Sequence, residues 1–175
     1  MLVSQSINWI TVLSSLFCMF NGTLVLANQS RSHVSLDGSW QFVMDPEDQG
    51  LDAQWFRKPD RFTDSIQVPG IWQTQGFGQP RGQIRNDYQG AVWYGRWIDI
   101  PADWSGKRVR IIFGGVLRTA KVFLDGNSVG NHDGMLTPFE FEISDVVQSG
   151  QKHWLAVRVD NRLRSGKKSP FKQSL

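Results

Sequence analysis

Cysteine is nearly missing from this chain of 175 residues, which has only Cys18. A disulfide framework needs pairs, and a thiolate metal site needs several sulfurs, so neither can hold this protein together. Histidine is scarce as well: His33, His132 and His153 stand far apart, and no metal-ligand spacing, phosphate loop or Ser-His-Asp order occurs. Long apolar runs are absent, the longest mostly apolar block being Ile10 to Phe20, well short of the ~20 residues a spanning helix requires. No stretch beyond that block repeats with a period of 3.6 over four turns, which argues against a helical fold. A large excess of one charge is missing too. The net charge is +3, and Arg162, Arg164, Lys167, Lys168 and Lys172 place five positive charges in residues 162–175, leaving a slightly acidic body. A basic end without interleaved aromatics reads as a solvated tail rather than a nucleic-acid surface.

Residues 1–27 have the shape of a cleaved secretory signal peptide, with the apolar block followed by Val25-Leu26-Ala27 where a signal peptidase would read, a retained membrane anchor being the rival reading. The expected organisation is a signal at 1–27, a polar lead-in at 28–35, one folded domain at 36–161 and a basic flexible tail at 162–175. The protein is then secreted or periplasmic, with no stable membrane span once the signal is removed.

Aromatic residues are plentiful, with eight Trp and eleven Phe. The richest stretch runs from Asn86 to Pro101, where Trp93, Trp97 and Asp99 fall on one parity and Tyr94, Arg96, Ile98 and Ile100 on the other. That pattern predicts a strand with large side chains on both faces, one packed in a core and the other meeting a second protein surface or a ligand. Trp40 and Phe42 share a face after the Asp37-Gly38 turn. Residues 45 to 64 read as a connection from which Leu51, Trp55 and Phe56 dip back to the core, and 73 to 86 as a polar loop. Asp125-Gly126 is a hairpin signal. Phe139, Phe141 and Ile143 alternate with Glu140 and Glu142, and Leu155, Val157 and Val159 with Ala156 and Arg158. Seven or eight short strands joined by turns predict an all-β sandwich, a closed barrel being the lesser alternative.

Five blocks in order carry a resemblance: Tyr88-x-Gly90-x-x-Trp93-Tyr94-x-Arg96; Arg110-Ile111-Ile112-Phe113-x-Gly115-Val116; Ala120-Lys121-Val122-x-Leu124-Asp125-Gly126; Val129-Gly130-x-His132-x-Gly134-x-x-x-Pro138-Phe139; and Val157-x-Val159-x-Asn161. Over Leu36 to Asn161 the chain resembles the N-terminal sugar-binding domain of family 2 glycoside hydrolases, the group of β-glucuronidases, β-galactosidases and β-mannosidases. Ile84-Arg85-Asn86, Val92-Trp93-Tyr94 and Val68-Pro69-Gly70 lean toward the β-glucuronidase branch.

The resemblance implies a jelly-roll-like β-sandwich of the galactose-binding-domain type. In the family a last strand with a Gly-Gly-Ile-x-Arg type sequence follows, and nothing similar follows Asn161, so a sandwich short of its last strand is one expected form. Hydrolysis in the family uses two glutamates on a separate (β/α)₈ barrel. No catalytic residue, metal ligand or cofactor is therefore assigned to this chain. Glu140 and Glu142 are nearly 7 Å apart on strand rise alone, wider than the ~5 to 5.5 Å of a retaining pair, and read as surface carboxylates. The expected function is sugar binding on behalf of an O-glycosyl hydrolase, catalytically silent alone. A free-standing carbohydrate-binding module and a non-catalytic partner of a separately encoded hydrolase are the alternatives. The expected partners are carbohydrate and a catalytic barrel domain or hydrolase subunit. The candidate ligand-binding residues are Asn86, Asp87, Tyr88 and Trp93; with Tyr94 and Arg96, the last two also suit structural roles, and Arg96 could stack or pair with a carboxylate. His132, in a turn, reads as a structural hydrogen-bonding residue.

Overall fold

A computed structural model describes residues 32–81 and 85–162, and the fold lies within the unit Ser35–Leu175. The expected signal peptide and the tail beyond Arg162 fall outside the described residues. Ten strands are described: β1 (Gly38–Asp45), β2 (Asp64–Val68), β3 (Gln79–Arg81), β4 (Arg85–Asp87), β5 (Ala91–Asp99), β6 (Arg110–Phe113), β7 (Leu117–Leu124), β8 (Asn127–Met135), β9 (Phe139–Glu142) and β10 (Lys152–Asp160). Among the described residues, helical structure is confined to short 3₁₀ turns. The polar loop expected at 73 to 86 holds a 3₁₀ turn at Trp72–Gln75 and the small β3–β4 sheet, which raises the strand number above the expected seven or eight.

The main sheet has the order β2-β1-β5-β10-β7-β8, and its pairs are antiparallel. β10 is one of its two central strands, paired with β5 from Lys152↔Asp99 to Asp160↔Ala91 and with β7 from Leu155↔Leu124 to Asp160↔Thr119. Strands paired on both sides and covered on both faces read as nearly continuous apolar runs, and His153 to Val159 are all buried.

The inner face packs against the second sheet, β6–β9. Trp40, Phe42, Ile66, Val92, Ile98, Val122, Leu155 and Val157 share one core with Val109, Ile111 and Ile143, and Phe113, Phe139 and Phe141 pack at its edge. Phe42 is closed in by Phe77 and Tyr94, with ring centroids 4.4 and 5.1 Å away. Burying one such ring contributes about 2 to 3 kcal/mol. The alternation predicted for β9 is observed: Ile143 is buried after β9, and Glu140 and Glu142 face out to Arg110 and Arg108.

The outer face is where expectation and structure part. Trp93, Phe123 and Trp154 on this face are covered by residues 51 to 62 of the same chain. Trp55 and Phe62 form a second core with Trp93, Phe123, Trp154 and Ala156, and Leu51 and Phe56 pack at its margin. Phe56 stacks on Phe123 at 4.2 Å and Phe62 meets Trp154 edge-on at 5.2 Å. Gly95 makes room for this cover, since a Cβ there would lie 2.4 Å from the Trp154 ring. Trp97 escapes it and is 47% exposed.

Local signals are realised as read. Asp125 and Gly126 both have positive φ, 48° and 78°, as a two-residue turn twisted to match its strands requires. Val129 is an extra residue in β8, between Val122↔Gly130 and Phe123↔Ser128, and the bulge lets both sides of the hairpin keep their packing. His132 Nε2 lies 3.0 Å from Thr137 Oγ1, the turn-stabilising hydrogen bond expected of it. Arg96 takes the stacking role, on Trp40 rather than on Trp93 or Trp97, and bonds backbone carbonyls in place of a carboxylate. Its Nη1 donates to the carbonyls of Leu36 and Asp37, and its guanidinium lies over the Trp40 ring.

Candidate functional site

One row of side chains crosses five strands on the outer face. In register, Val43 lies opposite Trp93, Trp93 opposite Arg158, Arg158 opposite Lys121 and Lys121 opposite Asn131. The row begins in apolar packing and ends in charge. At the change stands Asp45, only 1% exposed at the end of β1. Its Oδ2 accepts from Trp93 Nε1 at 3.0 Å and from the Gly50 amide at 2.9 Å, and its Oδ1 accepts from the Gln49 amide at 2.8 Å. A carboxylate buried this deeply needs donors. Gly50 has no alternative residue here, because a Cβ would stand 2.3 Å from Trp93 Nε1.

The chain leaving Asp45 turns through Asp48, whose φ is 56°. That turn presents the Asp48 carboxylate to two arginines. Arg158 Nη2 donates to its Oδ1, and Arg162 Nη2 to its Oδ2 at 2.5 Å. Both arginines also bond Asp160, Arg158 at 3.1 Å and Arg162 through Nε and Nη2. Burial alone would raise both acids, but the arginine hydrogen bonds and charges outweigh it, holding Asp48 below the usual carboxylate range and Asp160 down at about 2. Asp160 is 14% exposed and Arg158 only 6%. The Nε of Arg158 has no hydrogen-bond partner among the described residues.

Beside the network lies a cavity of about 460 Å³, lined by Asp48, Leu51, Lys121, Asn131, Arg158 and Asp160 among others. A ligand pocket has that scale.

The candidate ligand-binding residues converge only in part. Asn86 lies on β4, opposite Pro80 in register. Asp87 ends β4 half-buried and has an interaction of its own. Tyr88 approaches the acidic network: burial first, then the carboxylates of Asp45, Asp160 and Asp48, push its phenol up to about 12. Its hydroxyl donates to the Ala91 carbonyl at 2.8 Å. Trp93 is wholly buried, packed by Trp55, Phe56 and Phe123. It has no open ring face for a sugar and instead anchors Asp45. Asp48, Arg158, Asp160 and Arg162 were missed from sequence, although Asp160-x-Arg162 on a strand end was a legible pairing signal. Arg162 had been grouped with the solvated tail, and here it is held by two carboxylates.

Comparison with known proteins gives this arrangement its lineage. Residues 33–169 match the model described as "Glycosyl hydrolases family 2, sugar binding domain". The chain belongs to this family. Among curated family 2 relatives, the chain is 38% identical over 128 residues to a β-glucuronidase of Canis lupus familiaris, covering 69% of this chain and 19% of that protein. With a β-glucuronidase of Paenibacillus borealis it shares 29% over 134 residues, 77% of this chain and 22% of that one. The structure of Ruminococcus gnavus β-glucuronidase superposes with a TM-score of 0.68 at 29% identity, over 78% of this chain and 22% of that one. The chain spans about a fifth of the length of the curated relatives it matches. The all-β sandwich and the family resemblance read from the sequence both stand, the chain being a sugar-binding domain related to glycosidases.

Proposed function

We propose that this chain is the exported, non-catalytic sugar-binding part of a β-glucuronidase-like family 2 glycoside hydrolase. Hydrolysis takes place on a separate barrel bearing two glutamates, and this domain forms one wall beside it through the β3–β4 arm, with Asn86, Asp87 and Tyr88 toward the sugar. Export carries it to the periplasm or the medium after removal of residues 1–27.

The observation that carries the reading is the state of the carboxylates. A glycosidase needs a general acid that still holds its proton near neutrality, usually through a raised pKa. Among the described residues, the acids that this fold shifts, Asp48, Glu142 and Asp160, are all moved down, and each is bonded to arginine. Such groups stay ionised and are suited to holding structure or ligand hydroxyls rather than to donating a proton.

A free-standing carbohydrate-binding module is the second reading, favoured by the exposed ring of Trp97. The full chain, shown to be folded by circular dichroism, would be tested on an oligosaccharide array and on chromogenic β-glycosides. Binding without turnover is expected. Reproducible turnover would overturn the non-catalytic assignment, and a folded chain that binds no glycan would overturn sugar binding by this domain in isolation.

A further inference from the structure

Among the described residues, Trp97 is the one aromatic side chain in the set of large apolar groups left exposed, and its indole N–H takes no partner there. The ring is nonetheless held in place. It rests on Trp154 at 5.4 Å, which in turn meets Phe62 at 5.2 Å.

The register shows what surrounds it. Gln41 stands opposite Gly95, so Gln41 and Ser39 share the face of Trp97, and Ser65 and Gln67 stand opposite them on β2. The Ser39 and Ser65 hydroxyls meet at 2.8 Å, which places both on one face. All four side chains are exposed and none is ionisable. The side-chain amides of Gln41 and Gln67 have no hydrogen-bond partner among the described residues. Asp99 and Lys152, opposite each other at the end of β5, neutralise one another. The free edge beside this patch is closed at Gln67, whose backbone amide and carbonyl are both taken by the Gln75 side chain at 2.8 and 3.0 Å, so a strand of another chain finds no pairing there.

These facts select the occupant. A dry protein surface laid on Trp97 would bury the amides of Gln41 and Gln67 unpaired, which is costly. An anion would find no unpaired cation. A neutral sugar suits both halves: a pyranose with equatorial hydroxyls offers an apolar C–H face to the indole, and its rim of hydroxyls matches amides and hydroxyls that each donate and accept. From Trp97 on β5 to Gln67 on β2 is two strand spacings, about 10 Å, a span that takes more than one ring.

We infer that this patch binds a neutral glycan chain of gluco-configured pyranoses, one ring stacked on Trp97 and the next bonded by Gln41 and Gln67. That the ligand is a carbohydrate rests on the sugar-binding reading above; its place and its lack of charge rest on the register.

The test is calorimetric titration of the full chain with cellotetraose, glucose and tetragalacturonate at equal ionic strength. Cellotetraose should bind about tenfold or more tightly than glucose, which fills only the stacking position. Trp97→Ala, a change at a half-open ring, should weaken cellotetraose about tenfold or more, and Trp97→Phe should recover part of the loss. Gln41→Ala with Gln67→Ala should weaken cellotetraose while leaving glucose nearly unchanged. Ile112→Ala, at an exposed apolar residue of the β6–β9 sheet, should change nothing. Cellotetraose binding untouched by Trp97→Ala would overturn the inference and leave the sugar-binding reading standing. Tetragalacturonate binding as tightly as cellotetraose would overturn the neutral assignment. Self-association in sedimentation velocity that Trp97→Ala abolishes, without glycan binding, would give the ring to a second copy of the chain and overturn it as well. No binding of any of the three sugars also overturns it, and the oligosaccharide array then decides the broader reading on its own.

Discussion

Asn161 fastens the turn that carries Tyr88 to the end of the central strand. Its Nδ2 donates to the Tyr88 carbonyl and its Oδ1 accepts from the Gly90 amide, both at 2.9 Å, and its own amide donates to the Gly90 carbonyl at 3.3 Å. Replacing it with Ala leaves a half-buried donor and acceptor unmatched, at a cost of about 1 to 3 kcal/mol. Urea denaturation should show the lower midpoint. Asn161→Asp should be worse than a simple loss of one bond, because it sets a carboxylate against the Tyr88 carbonyl. An unchanged midpoint in both variants would remove Asn161 from the supports of this turn.

Asp45 should be far less replaceable than its place at a strand end suggests. Asp45→Ala strands three donors, two of them backbone amides, and should cost on the order of 3 kcal/mol. Trp93→Phe keeps much of the apolar contact and removes one donor, so its loss should be smaller. Gly50→Ala tests the same junction from the other side and should destabilise through the clash with the indole. Thermal melts of the three variants would rank them.

Acid should weaken the Asp48–Arg158–Asp160–Arg162 network in a definite window. Asp160 has its folded pKa depressed to about 2 from an ordinary value near 3.8. The unfolded chain therefore binds the extra proton first as pH falls. The stabilisation is complete above the unfolded value and is lost as pH drops through about 4 toward 2. For this mostly buried acid it amounts to about 2 kcal/mol. Asp160→Asn should flatten the stability profile between pH 5 and 2, and a profile as steep as the parent's would show that other acids set the acid limit.

Trp97 and Trp154 face each other across β5 and β10 with ring centroids 5.4 Å apart, yet they should respond unequally to truncation. Trp154 is 3% exposed and touches Phe62, so Trp154→Ala should cost about 3 to 5 kcal/mol. Trp97→Ala removes a half-open ring and should cost clearly less. Guanidinium unfolding of the pair measures the contrast.

Glu140 and Glu142 should prove dispensable. Each is exposed and bonded to a similarly exposed arginine, and ion pairs of this kind contribute little. Glu142→Gln and Glu140→Gln should leave the denaturation midpoint and the glycan-binding profile unchanged.

How much of this was legible depended on distance along the chain. The Asp125-Gly126 hairpin and the alternation through Phe139, Phe141 and Ile143 are decided by neighbouring residues, and the sequence displays them directly. The β3–β4 sheet was hidden because Gln and Gly outnumber β-branched residues there. The site network was hidden for a different reason: Asp48 meets Arg158 and Arg162 across 110 and 114 residues, and no local pattern announces such a meeting. Trp93 looked like a binding residue because a strand with bulk on both faces allows either face to be open. Which face is covered was decided by Trp55, Phe56 and Phe62, whose docking depends on the whole sheet.

The position of β10 has a consequence for how the chain comes into being. It is the last described strand to leave the ribosome, and it is the strand that joins β2-β1-β5 to β7-β8. Until residues 152 to 160 are in place, β2-β1-β5 and β7-β8 are two separate ribbons, each with a bare hydrogen-bonding edge. Completion is therefore a zipper closed from the middle, and protection of those two edges during synthesis falls to whatever accompanies the growing chain.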